Sequence, residues 1–396
     1  MRLTATSPQK DRQQSAPDLI EDLGPQLVGV PNREEIGIAV ENRRAVVACH
    51  VWEGSDGYAG ARALSRMGWE TSLANEFAWI PLQWRSRRAR VVGRALRPMA
   101  VREFGKHIVQ LCSEGDATMF LAFKGTFVPA TAIRELRGQG VLTICHYPDV
   151  STTVHGPWLR NNLREYDWVF TAKTFGLEDM ARENGVSRSS VLLHGFDQEV
   201  HRPIPASMID RSRYEADVSF IGTWSPEKER RLATLFKRMP KMRLRIWGAQ
   251  WEKCADARLR PCLELQPVMG RSYAAAIQAS TINLALLSER RPGASEADQV
   301  TSRTFHLPAA GGLMLHSRTE QFLALFDDGA EALSFGDDDE LAEVVRRVLE
   351  DRIDVCKIRR AGTLKVWGRD SWDHRIGTML QHKAFDKLRI SGNSEC

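Results

Sequence analysis

The sequence predicts an α/β chain of two doubly wound domains, and three observations carry that expectation. Short apolar runs, at 45–49, 117–122, 141–145 and 217–221, recur with amphipathic helical stretches between them. That alternation builds mostly parallel sheets with right-handed crossovers. The runs end in loops that carry glycine and polar residues, where a doubly wound sheet places its ligands. The pattern then pauses in a polar, turn-rich stretch near 200–214 and restarts, which marks a linker. A length of 396 residues gives each half room for a core of its own.

Taken in order, residues 1–40 read as a flexible polar lead-in, 41–203 as a first domain, 204–370 as a second, and 371–396 as a closing helix and tail. The first buried strand, 45–49, runs through a loop containing Glu53, Gly54 and Gly57 into a helix through Ala61, Leu64 and Met67. The spacing is not GxGxxG, so no dinucleotide fingerprint is present. Strand 117–122 leads to a turn at 123–127 and a helix over 129–137. Strand 141–145 ends in His146, Tyr147, Pro148 and Asp149, and units at 168–171, 175–184 and 190–193 complete the sheet. His146 and Asp149 are candidate acid/base or hydroxyl-binding groups, because the carboxyl ends of the strands face the ligand.

Residues 79–106 stand apart. Arg85, Arg87, Arg88, Arg90, Arg94, Arg97 and Arg102 are interleaved with Trp79, Ile80, Leu82, Trp84, Val91, Val92 and Leu96. A basic, aromatic-bearing helix of this kind suits an anionic membrane surface. It would also suit a nucleic-acid backbone, or serve as a solvated face over a buried stripe.

The second half opens with strand 217–221, then Gly222, Thr223 and Ser225 ahead of Pro226. Ser at the N-cap and Pro in the first turn start a helix, and Gly222 lets the backbone approach a ligand. Lys228 or Arg230 would reach a phosphate from that helix. Strand 244–247 ends in Trp247 and Gly248, and helix 272–279 and strand 281–287 follow. The stretch 298–315, DQVTSRTFHLPAAGGLML, reads as loop, helix N-terminus, glycine break and buried strand. A helix N-terminus favours phosphate, and Arg303 adds a fork of donors. Helices over 337–349, 353–367 and 371–380 close the chain.

Composition narrows the class. The hydrophobic share of 43% and charged share of 27% are those of a soluble globular protein. A net charge of +5 is too modest to argue for nucleic acid as a partner. Seven scattered cysteines without a CxxC pair suit reduced thiols in the cytoplasm, not a disulfide framework or a zinc site. No run of apolar residues is long enough to span a membrane, and the N-terminus lacks the apolar core of a secretory signal.

The second half resembles the spore-maturation CgeB-type glycosyltransferases of group 1, which are family 4-like. The matching pieces are DVSFIGTWSPEKERRL at 217–232, IWGAQW at 246–251, TSRTFHLPAAGGLML at 301–315 and RTEQFLALF at 318–326. YDWVFTAK at 166–173 and LLHGFDQEVHRP at 192–203 match more loosely. The resemblance implies a GT-B fold, two Rossmann-like domains facing across a cleft. It also implies a nucleotide-sugar co-substrate on the C-terminal side, with no further cofactor and no metal. Carried over by position, Gly222, Thr223, Lys228, Trp247, Gly248, Thr301, Ser302 and Arg303 would line the donor site. Arg303 would steady the leaving diphosphate. One departure stands out: the family has Glu after the Phe of RTF, and this chain has His306. A neutral imidazole offers a single acceptor where a carboxylate offers two oxygens.

The expected activity is therefore transfer of a sugar, of hexosyl type, to an acceptor hydroxyl on a glycan, a lipid-linked molecule or a small molecule. It would be metal-independent and retaining, in the cytoplasm or at the inner face of a membrane. If the enzyme inverts instead, His146 or Asp149 is the candidate base. The alternatives are a catalytically silent GT-B protein binding a glycan or protein partner, and a Rossmann-type oxidoreductase, which the missing glycine fingerprint disfavours.

Overall fold

The computed structural model describes residues 29–31, 33–80, 87–264 and 266–389. The strands are β1 Arg44–Cys49, β2 Glu70–Asn75, β3 Met119–Phe123, β4 Leu142–Tyr147, β5 Trp168–Thr171 and β6 Ser189–Val191 in the first half. β7 Ala216–Ile221, β8 Leu244–Trp247, β9 Ser280–Ala285, β10 Met314–Ser317 and β11 Leu333–Phe335 make the second. The longer helices are α1 Asp56–Arg66, α2 Arg87–Glu114, α3 Ala130–Gly138, α4 Pro157–Asn162, α5 Gly176–Asn184 and α6 Pro226–Arg238. They continue as α7 Arg271–Ala279, α8 Ser302–Ala309, α9 Glu320–Leu325, α10 Asp338–Leu349, α11 Val355–Trp367 and α12 Trp372–Gln381.

Two parallel sheets result, with strand orders β2-β1-β3-β4-β5-β6 and β11-β10-β9-β7-β8. β3 and β4 are buried along their whole length, which is why Met119–Phe123 and Leu142–Tyr147 read as continuous apolar runs. Each order reverses once, between β1 and β3 in the first sheet and between β7 and β9 in the second. Ligands of such sheets sit outside the carboxyl ends at these switch points. The loops that follow β1, β3, β7 and β9 are therefore the ones to inspect.

The two halves are tied together by the end of the chain. α12 packs on α1 of the first half, and Arg66 grips Asp373 with Nε at 2.8 Å and Nη2 at 2.6 Å. Phe196 bridges to Ser371 in parallel register. Residues 1–28 of the polar lead-in lie outside the described residues. Its last part, expected to be flexible, is built into the fold. Ile36 and Ile38 are buried, and Ile38 bridges to Arg389. Alternating apolar residues in IGIAV supply that burial.

Candidate functional site

The carboxyl edges of the two sheets face each other across a cleft that holds two adjoining cavities. The first, about 380 Å³, lies between His50, Glu53 and Asp56 on one side and Gly222, Tyr273 and His306 on the other. The second, about 540 Å³, lies between Lys124 and Asp149 on one side and Thr223, Lys228 and Asp298 on the other. Ser302 and Arg303 line both. The halves approach closely at the rim, where a Cβ on Gly270 would come within 2.5 Å of Glu53 Oε2.

The C-terminal wall is built for an anion. Thr301 is the extended N-cap of α8, and its N–H is taken by Thr304 Oγ1 at 3.0 Å. Arg303, in the first turn, donates from Nη2 to the Leu286 carbonyl at 2.6 Å and lies over the Phe220 ring, 5.3 Å from its centroid. Its Nε is buried without a partner, and no carboxylate pairs with it among the described residues. Lys228 Nζ stands 3.4 Å from the Thr223 carbonyl and 3.3 Å from Ser288 Oγ, also without a carboxylate partner among the described residues. Burial, and then the charge of Arg303, push the Lys228 amine down to about 8. A buried lysine and a half-buried arginine that repel one another beside a helix N-terminus are costly to hold. A phosphate placed between them would relieve that cost.

Backbone crowding explains the glycines. The Gly222 N–H bonds the Trp247 carbonyl at 2.9 Å, which draws the ends of β7 and β8 together. A Cβ on Gly222 would meet Arg303 Nη1 at 2.8 Å, so Gly222 is the surface on which the guanidinium rests. Gly248 has φ +136°, and a Cβ there would fall 2.1 Å from the Gly222 carbonyl oxygen. Gly248→Ala is expected to destabilise the protein by roughly 3 kcal/mol, through strain and collision together. Chemical denaturation of the variant against the parent checks this. Trp247 itself is a core side chain, 3% exposed, and lines neither cavity, nor does Gly248. Their part is to shape the wall from behind.

The N-terminal wall differs from the expectation. His146 does not reach the cleft. β4 extends through Tyr147, so His146 is a strand residue with its ring among Phe123 and Trp372. Its Nε2–H donates to the Leu192 carbonyl at 3.0 Å, and burial pushes the imidazole down to about 4. It lines neither cavity. Asp149 does line the second cavity, but its carboxylate is engaged by Lys124 Nζ at 2.6 Å and His155 Nε2 at 2.7 Å. Burial works to raise this carboxyl, yet those two partners outweigh it and hold it well below the usual range. A carboxylate so stabilised is a poor proton acceptor.

Two carboxylates line the first cavity, the exposed Glu53 at the rim and the less exposed Asp56 at the start of α1. Asp56 Oδ1 accepts from Trp372 Nε1 and Oδ2 from His194 Nδ1, each at 3.1 Å. Burial opposes its charge, but the His194 hydrogen bond leads the groups that bring its pKa below the ordinary value. His306 comes from across the cleft, with Nε2 at 3.9 Å from Asp56 Oδ1. That nitrogen donates to the Gly195 carbonyl at 3.2 Å, which leaves Nδ1 as the ring's acceptor. His306 stacks on His201 at 3.7 Å, and burial pushes it down to about 4, so both rings are neutral. The sequence gives Asp56 only the signature of a helix first turn after the Ser55 cap, which most such residues share. A second unread contact is the buried pair Lys173–Asp298 at 2.5 Å, which joins the loop after β5 to the segment before α8.

Comparison with known proteins follows the same lines. The family profile described as glycosyl transferase-like matches residues 227–381. No curated protein matches the chain. Among solved structures, it is similar to sucrose-phosphate synthase from Thermosynechococcus elongatus, with a TM-score of 0.60 at 12% identity over 85% of this chain and 97% of that one. It is also similar to Anabaena HepE in complex with UDP-glucose, with a TM-score of 0.58 at 12% identity over 87% and 99%. A third is the E. coli trehalose-6-phosphate protein bound with UDP-2-fluoro glucose, at 0.55 and 13% over 86% and 99%. At such identities the likeness shows the fold, which is that of the GT-B glycosyltransferases.

Proposed function

We propose that this protein is a glycosyltransferase of the CgeB type that moves a hexosyl group from a nucleotide sugar to an acceptor hydroxyl. The observation that carries this is a pair of cations without a carboxylate partner among the described residues, buried Lys228 and half-buried Arg303, beside the N-terminus of α8 inside a two-domain cleft. They suit a diphosphate, and their charge would stabilise it as it leaves, without a metal. Thr223, Thr301 and Ser302 surround the same place. Structural neighbours solved with UDP-glucose or UDP-2-fluoro glucose make uridine donors the first to try. The acceptor, a glycan, a lipid-linked molecule or a small hydroxyl compound, would enter beside Asp56. Retention of configuration is the expected outcome. Free cysteines, none of them in a disulfide among the described residues, support a reducing cytoplasmic setting.

The test is release of nucleoside diphosphate from candidate donors in the presence of a chelator, with the product's anomeric configuration read by NMR. Release supports transfer. A protein that binds donors tightly but never cleaves them would be the catalytically silent alternative, which the replacement of a carboxylate by His306 favours.

The amine of Lys228 gives the site a pH signature. It is charged below about 8 and neutral above, and a bound diphosphate favours the charged form. Nucleoside diphosphate affinity is therefore expected to hold below pH 8 and to weaken as the pH rises through that value. Calorimetric titrations across this range check it, and Lys228→Met is expected to abolish the fall.

A further inference from the structure

We propose that the N-terminal half of α2 docks this protein on an anionic lipid bilayer. This does not depend on the donor site. α2 carries two apolar stripes on roughly opposite sides, at 100° per residue. Val101, Phe104, Ile108 and Cys112 face inward and are buried against the first sheet. Val92, Leu96 and Met99, spaced four and three residues apart with Val91 beside them, are 51%, 40%, 56% and 67% exposed respectively. A large apolar face left open on one helix marks an interaction surface.

Charge selects the occupant. Residues 81–102 contain seven arginines and no acidic residue. That exceeds the net +5 of the whole chain, so everything else is slightly acidic. The first acid in α2 is Glu103. Arg94 is exposed one turn from Val91, and Arg102 is exposed one turn from Met99. Guanidinium groups next to exposed aliphatic side chains match the boundary between anionic headgroups and acyl chains. A second copy of this chain would bring its own Arg94 and Arg102 against these, which disfavours self-association through this face. Lowering an arginine-flanked apolar ridge onto lipid also suits the cleft: the Arg97 guanidinium lies 5.9 Å from the Phe127 ring centroid, beside the loop whose Lys124 lines both cavities. No helix among the described residues is long and apolar enough to cross a membrane, so docking would be at the surface.

The experiment is flotation of the full chain with phosphatidylcholine vesicles and with phosphatidylcholine/phosphatidylglycerol vesicles. The parent is expected to float with the anionic vesicles only, and less so at high salt. The variant Val92→Ser/Leu96→Ser/Met99→Ser and the variant Arg94→Glu/Arg102→Glu are each expected to float roughly tenfold less. Both should keep the parent's melting temperature, because these side chains are exposed. The proposal is overturned if the parent stays unbound, floats equally with neutral vesicles, or floats unchanged after the apolar substitutions. It is also overturned if the parent is a dimer that the apolar variant converts to a monomer.

Discussion

Arg303→Ala is expected to bind nucleoside diphosphates at least ~100-fold more weakly than the parent while melting at nearly the same temperature. The affinity loss follows from removing a half-buried, charge-assisted donor that would meet the phosphate, an effect of roughly 3 kcal/mol. The unchanged stability follows from the missing counter-charge. In the free protein the guanidinium lacks a carboxylate partner among the described residues, and Lys228 repels it. Its removal forfeits one bond to the Leu286 carbonyl but relieves an uncompensated charge. A structural arginine would behave the other way, losing stability first. Isothermal titration and thermal melting of the two proteins separate the cases.

Asp56→Asn is expected to lower kcat by roughly 100-fold or more while nucleoside diphosphate affinity stays within about threefold. Asp56 lines the first cavity, which Lys228 does not, and the His194 hydrogen bond favours its charged form. Asn keeps the shape and one acceptor but loses the charge. Because the folded-state pKa lies below the usual aspartate value, the group stays ionised throughout the neutral range. The acid limb of the parent's pH profile is thus expected to belong to another group. Steady-state kinetics with a donor found to be cleaved, alongside titration with its diphosphate, measure both quantities. The same carboxylate accounts for His306. A glutamate at 306 would stand against Asp56, where two carboxylates cannot both ionise readily. A neutral imidazole stacked on His201 fits there without that conflict.

The C-terminal wall of the cleft was legible in part, because its grammar is local, although Trp247 and Gly248, also expected there, line neither cavity. Ser225 before Pro226, Gly222 after a buried strand and Arg303 in a first turn each state their role within a few residues. The N-terminal half was not, because the choice between residues of one loop is made by packing. Reading β4 as ending at Cys145 placed His146 in the cleft. The strand runs two residues further, and its pleat turns His146 into the core. Asp56 shares its local signature with any capped helix, and its distinction comes from Trp372, more than 300 residues later in the chain. Among the elements, β2 was missed because it is a partly exposed edge strand with polar residues, and β11 because three residues are too short for a periodic signal. The helical stretch expected at 79–106 and the helix expected to follow it form one continuous helix, Arg87–Glu114, while Trp79 ends a separate short turn, and sequence could not tell which apolar residues would be inside. Residues 81–86 lie outside the described residues.

The most direct measurement is a thermal-shift screen of the parent against UDP, GDP, ADP, TDP and their common sugar conjugates, without added metal and at a pH below 8. A ligand at 100 times its dissociation constant should stabilise the protein by about 2.7 kcal/mol. One nucleotide family raising the melting temperature in the parent, and failing to do so in Arg303→Ala, is the predicted result and names the donor base. No shift with any of them would contradict the donor site at Arg303 and Lys228, and with it the proposed transfer.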